Sequence, residues 1–102
     1  LEQQKMISRL NETKSQAEVE YQKTRRQLAD LTFEVEQAES MVKQAEEALF
    51  IQTDRYSQGL STTPDLLRIQ TQLAQSGLMR EMVHFKKNLT IAYLAFLTST
   101  NE

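Results

Sequence analysis

The 102 residues offer few side chains with which to do chemistry: one His, no Cys, and fourteen Asp and Glu. His84 lies between Val83 and Phe85, with Glu81 at i−3 and Asn88 at i+4. On a helix those spacings share a face. One imidazole and one carboxylate make an incomplete metal site, so His84 is expected to pack at a helix interface. Glu34, Glu36, Glu39, Glu46 and Glu47 are closely spaced carboxylates, the residue type used for general acid–base catalysis. On a polar helix face the same pattern is a solvated surface, which is the reading taken here. The lack of Cys removes thiol nucleophiles, disulfides and thiolate metal sites. Gly59 and Gly77 are too far apart to form a phosphate-cradling loop. The expectation is a protein that is not an enzyme and binds no cofactor and no metal.

Whatever these residues do, long helices must position them. Two Gly and one Pro are too few for a fold with many turns. The length suits one small domain. Twelve Lys and Arg are scattered among the fourteen acids, for a net charge of -2, and give no electrostatic case for nucleic acid. The N-terminus LEQQKMISRLNETK is polar, with no signal peptide visible. The chain starts without Met and in helical register, and is expected to be a piece of a larger protein or a mature fragment. Its most apolar run, Leu89 to Thr98, is about half the ~20 residues of a membrane-spanning helix.

The first half carries a three–four repeat: Ile7, Leu10, Lys14, Ala17, Tyr21, Thr24, Leu28, Leu31, Val35, Ala38, Val42, Ala45, Leu49, Gln52 and Tyr56. From Leu28 to Leu49 every seam position is apolar, the heptad pattern of a coiled coil. Before Leu28 the seam weakens at Lys14 and Thr24. The second half has a broader apolar face of Leu67, Ala74, Leu78, Met82, Phe85, Leu89, Ala92 and Phe96, with a second row of Leu66, Leu73, Ile91 and Leu94. A hairpin buries one stripe of each helix, so the surplus implies further helix neighbours. Gly77, in mid-helix, suggests close approach of another helix or a kink. Met41, Phe50, Met79 and Met82 could outline a ligand groove, but helix packing is the expected use.

Between the two patterns stands RYSQGLSTTPDLLRIQTQLAQ, residues 55–75. Gly59 suits the left-handed cap of an ending helix. Ser61, Thr62 and Thr63 offer N-cap hydroxyls, Pro64 suits the first helical position, and Asp65 meets the positive end of the next helix dipole. The fold expected is all-α: a long antiparallel coiled-coil hairpin over residues 1–102, with helices over about 3–57 and 64–99 and a turn over about 58–63. Leu60, at the far end, is open to two readings: a contact that completes the helix cap, or a docking point.

Arg55-Tyr56, Gly59, Asp65-Leu66-Leu67 and Gln70, followed by Leu73 and Ala74, resemble the hairpin signature R-Y-x-x-G-x-x-x-x-x-D-[LV]-L-x-A-Q of TolC-like outer-membrane efflux proteins. The resemblance covers essentially the whole chain and is sharpest from Arg55 to Leu73. It implies one hairpin, from the second of two repeats, of a trimeric α-barrel crossing the periplasm below an outer-membrane β-barrel in a Gram-negative bacterium. It also implies a conduit for drug efflux or type I secretion, with self-association into a trimer, a periplasmic adaptor protein docked at the tip, and an inner-membrane pump supplying the drive. By position, Gly59, Leu60 and Ser61 would face the adaptor, and Tyr56 and Asp65 would join the polar network between neighbouring tips. Arg68 stands where some members carry a pore-lining acid, Ile69 replaces the usual Ala, and Ser99 lies near the place of a usual Gly. Two rivals remain: the hairpin of a periplasmic adaptor or another structural helical module, and a ligand- or metal-binding bundle.

Overall fold

The computed structural model describes residues 2–100; Leu1, Asn101 and Glu102, the ends of the expected 1–102 hairpin, lie outside them. Two helices account for almost all of this span: α1, Glu2–Ser57, and α2, Thr63–Thr100. Cross-helix hydrogen bonds fix their relation. Gln52 meets Ser61 near the turn, Glu39 meets His84 further along, and Glu20 meets Tyr93 further still. Partners fall in number along α1 as they rise along α2, so the chain doubles back on itself. The molecule measures 85 × 17 × 15 Å, with a radius of gyration of 23.5 Å. A compact chain of this length would have a radius near 13 Å, so this is a rod.

Helix length explains the shape. At ~1.5 Å per residue the 56 residues of α1 span about 84 Å, whereas the 38 of α2 span about 57 Å. Residues 2–16 of α1 are accordingly exposed throughout. Ile7 and Leu10, the first positions of the expected seam, therefore have no cover from α2.

From Ala17 to Gln52 the α1 seam is the face turned to α2: every position of the expected repeat is buried or half-buried, and Val35, Ala38 and Val42 are its apolar centre. Thr24, where the repeat weakens in sequence, is the most enclosed residue, at 1% exposure. Its hydroxyl donates to the Glu20 carbonyl one turn back at 2.7 Å, so burial leaves no polar atom unsatisfied.

On α2 the buried face is the leaner of the two apolar rows. The inward stripe runs Leu66, Ile69, Leu73, Ser76, Arg80, Val83, Lys87, Thr90, Leu94 and Leu97, again in three–four steps. Leu66, Leu73 and Leu94 of the expected second row lie on it, while Ile91 is exposed. The broader row faces away from α1, with Leu67, Leu78, Met82, Phe85, Leu89 and Phe96 all more than half exposed. The turn sets the phase of α2 from its first residues, and that phase carries Arg80 and Lys87 onto the inner stripe, where each is half-buried. Aliphatic stems let such residues cover apolar neighbours while their charge reaches water.

Gly77 does not serve a close approach within the hairpin. A Cβ built there meets nothing within 4 Å, and α2 continues through it as regular helix.

Candidate functional site: the hairpin tip and the outer face of the second helix

The tip is a helix stop joined to a helix start. Gly59 has φ of 75°, the left-handed conformation that a side chain disfavours. The Gly59 N–H donates to the Tyr56 carbonyl at 3.1 Å and the Leu60 N–H to the Arg55 carbonyl at 2.8 Å. This pair of bonds is the Schellman closure of a helix C-terminus. Such closures often add an apolar contact from the residue after the Gly back to the last turn. Here the last turn presents Asp54 and Arg55, and Leu60 stays 63% exposed. Of the two readings open for Leu60, cap contact is the one its exposure disfavours.

The restart uses Thr62. Its carbonyl accepts the Leu66 N–H at 3.1 Å, the first bond of the new helix, and its hydroxyl oxygen accepts the Asp65 N–H at 3.4 Å. The same hydroxyl donates to the Asp65 carboxylate at 2.9 Å, which holds the capping oxygen in place. Among Ser61, Thr62 and Thr63, Thr62 is therefore the N-cap. Helix α2 begins at Thr63, which makes Pro64 its second residue rather than its first.

The other two hydroxyls tie the tip together. Gln52 Nε2 donates to Ser61 Oγ, and the Tyr56 hydroxyl lies 3.3 Å from Thr63 Oγ1. Thus Tyr56 and Asp65, which the resemblance assigns to contacts between neighbouring tips, each make a bond within their own tip. Arg68 is exposed on the first turns of α2. Gly59, Leu60, Ser61, Tyr56, Asp65 and Arg68 all fall at one end of the rod.

The outer face of α2 is the second feature. Leu78, Met82, Phe85, Leu89, Ala92 and Phe96 are spaced four, three, four, three and four apart, and all are exposed. This is a second heptad seam on the side away from α1, and it is more apolar than the inner stripe beside it, which carries Ser76, Arg80, Lys87 and Thr90. On α1 the exposed apolar residues, such as Val19, Phe33, Phe50 and Ile51, are scattered among polar ones and form no such line.

The chemistry-bearing residues do not converge. His84 Nε2 lies 2.9 Å from Glu39 Oε1 across the two helices, not beside Glu81, its partner by sequence spacing. Glu39 is exposed, as expected of the polar face, and its position next to Ala38 at the seam edge lets it reach His84 while staying in solvent. Glu81 pairs with Arg80 at 3.5 Å. Among the described residues no group of three or more His, Cys, Asp or Glu is placed to hold a metal ion. The four residues considered for a ligand groove are also separate. Met41 and Met79 line one groove on the flank of the hairpin, whereas Phe50 lies beside Lys43 and Ile51, and Met82 beside Phe85 and Leu89.

No helix among the described residues is long and apolar enough to cross a membrane. No family model, curated protein or solved structure matches the chain.

Proposed function

We propose that the chain is a coiled-coil hairpin of the periplasmic α-barrel of a TolC-like outer-membrane channel, serving drug efflux or type I secretion, with its tip docking a periplasmic adaptor. The observation that carries this reading is the pair of seams on α2. Each residue of a heptad helix turns about 103°, which sets the inner and outer seams about 150° apart around the axis. A helix with two contact faces slightly short of opposite suits a curved wall of helices, the element from which an α-barrel is built. The hairpin of an adaptor standing alone has no use for the outer seam, which is why the channel reading is preferred.

The tip supports the same reading. Its Schellman closure, Thr62 cap and two side-chain ties fix a short turn at the end of an 85 Å rod, with Leu60 projecting from it. In this proposal the protein acts as a conduit. Its trimer forms by helix packing, and separation of the tips after adaptor docking opens it. The inner-membrane pump drives the cargo.

The test is site-specific crosslinking in cells. A Ser61→Cys or Leu60→Cys substitution in the intact cellular protein is expected to crosslink to a periplasmic adaptor, while Glu47→Cys on the outer side of α1 is not. Absence of a crosslink from every tip position, with the protein present and folded, would remove the proposal.

A further inference from the structure

The outer seam of α2 needs an occupant, and the charges beside it select one. Glu81 and Lys86 lie on opposite flanks of the seam, bordering Met82, Phe85 and Leu89. When two identical heptad helices pair in parallel, a residue on one flank comes beside the opposite flank of its partner five positions further on. Glu81 and Lys86 are five apart. Parallel pairing of two copies therefore brings Glu81 of each chain to Lys86 of the other, twice by symmetry. The same rule sets Asn88 beside Tyr93, and Ala74 beside Met79. Antiparallel pairing joins like flanks, so Lys86 would meet Met79, Tyr93 or another Lys86 and no carboxylate.

From these positions we infer that two copies of this chain associate in parallel through the outer seam of α2, tips at the same end, with Glu81–Lys86 pairs setting the orientation. The occupant is matched to the seam by both spacing and charge. Among the described residues Glu81 pairs with Arg80, its sequence neighbour, and its side chain is 70% exposed, so its carboxylate can turn to a partner. The seam covers on the order of 1,000 Å² in total between two copies, near the lower limit of a specific interface. The inference concerns identical copies of this chain alone and does not rest on the channel reading, in which the same seam is taken by a neighbouring helix of the wall.

The test uses the whole chain, which has no Cys of its own. Sedimentation from about 1 to 200 µM is expected to show a monomer–dimer equilibrium. Phe85→Asp should abolish the dimer and leave helical circular dichroism intact, since Phe85 does not face α1. Glu81→Lys should raise the dissociation constant about tenfold, and adding Lys86→Glu should restore it. Oxidation of Thr71→Cys, which extends the outer seam towards the tip, should give a disulfide dimer. A folded monomer at 200 µM would overturn the inference. So would a dimer that survives Phe85→Asp, or one that crosslinks through Asn88→Cys near the centre of an antiparallel pair but not through Thr71→Cys.

Discussion

Val83 and Phe85 stand two residues apart on α2 and face opposite ways, Val83 at 9% exposure towards α1 and Phe85 at 65% away from it. The smaller residue is packed and the larger one is not. If the hairpin alone decided where apolar surface goes, this order would be reversed. In urea melts at concentrations where the chain is monomeric, Val83→Ala is expected to cost about 1–2 kcal/mol, from two buried carbons and the gap they leave. Phe85→Ala should stay within about 0.5 kcal/mol of the parent. Equal losses would mean that Phe85 packs on the hairpin after all.

The two glycines give a second contrast. Gly59 has φ of 75°, so Gly59→Ala is expected to destabilise by about 1–2 kcal/mol through backbone strain, although a Cβ there meets no atom. Gly77 is helical and has open space around its missing Cβ. Gly77→Ala should stabilise the isolated hairpin by about 0.5–1 kcal/mol, the helix-propensity difference. Thermal melts of the two single variants, moving in opposite directions, are the check. A destabilising Gly77→Ala would show that another helix packs closely there.

The seam of α1 was readable from its sequence because one face of that helix is apolar and the rest is polar, so periodicity names the buried positions from Ala17 to Gln52. Two details escaped. Thr24 looks like a flaw in the repeat because hydroxyl and methyl are counted as polar together. Its burial is possible because the hydroxyl bonds back to Glu20, which sequence spacing alone does not decide. The exposure of Ile7 and Leu10 follows from the shorter reach of α2, which is a matter of helix lengths rather than of local pattern.

On α2 the sequence signalled an apolar surplus and left open which row meets α1. Leu78, Met82, Phe85 and Phe96 are more hydrophobic than Ser76, Arg80, Lys87 and Thr90, yet the latter face inward. Hydropathy ranks faces by their cost in water and does not say which neighbour removes them from it. The turn end of the helix decides that, because Leu66, Ile69 and Leu73 set the inward face of α2 within its first three turns. The pair His84–Glu39 was hidden for the same reason: it joins residues 45 apart and exists only once that rotation is set. At the tip, by contrast, local signals located the stop at Gly59 and the restart beside Asp65, since caps are made by residues close in sequence, but they did not choose Thr62 over Ser61 and Thr63 and set Pro64 one place too early.

The capping pair at the start of α2 yields a third prediction. Thr62→Ala removes the oxygen that accepts the Asp65 N–H and the hydroxyl that donates to the Asp65 carboxylate. A loss of about 1 kcal/mol is expected, and Thr62→Ser should recover most of it, because Ser supplies the same oxygen. Hydrogen exchange should localise the loss to the first turn of α2. If Thr62→Ser is as damaging as Thr62→Ala, the methyl group rather than the cap is what matters at this position.

Thr24 supplies the last. Its hydroxyl shares a carbonyl that already belongs to the helix, so removing it orphans no partner, and the site it occupies is almost fully enclosed, at 1% exposure. Thr24→Val keeps the shape and exchanges a buried hydroxyl for a methyl, which is expected to stabilise the hairpin by about 0.5–1 kcal/mol. Thr24→Ala leaves a gap at the most enclosed position and should destabilise it by about 1 kcal/mol. The measurement is the urea midpoint of both variants with the slope unchanged. A destabilising Thr24→Val would show that the bond to the Glu20 carbonyl contributes to packing at the weak end of the seam, where Lys14 and Ala17 lead into the stretch of α1 that α2 leaves uncovered.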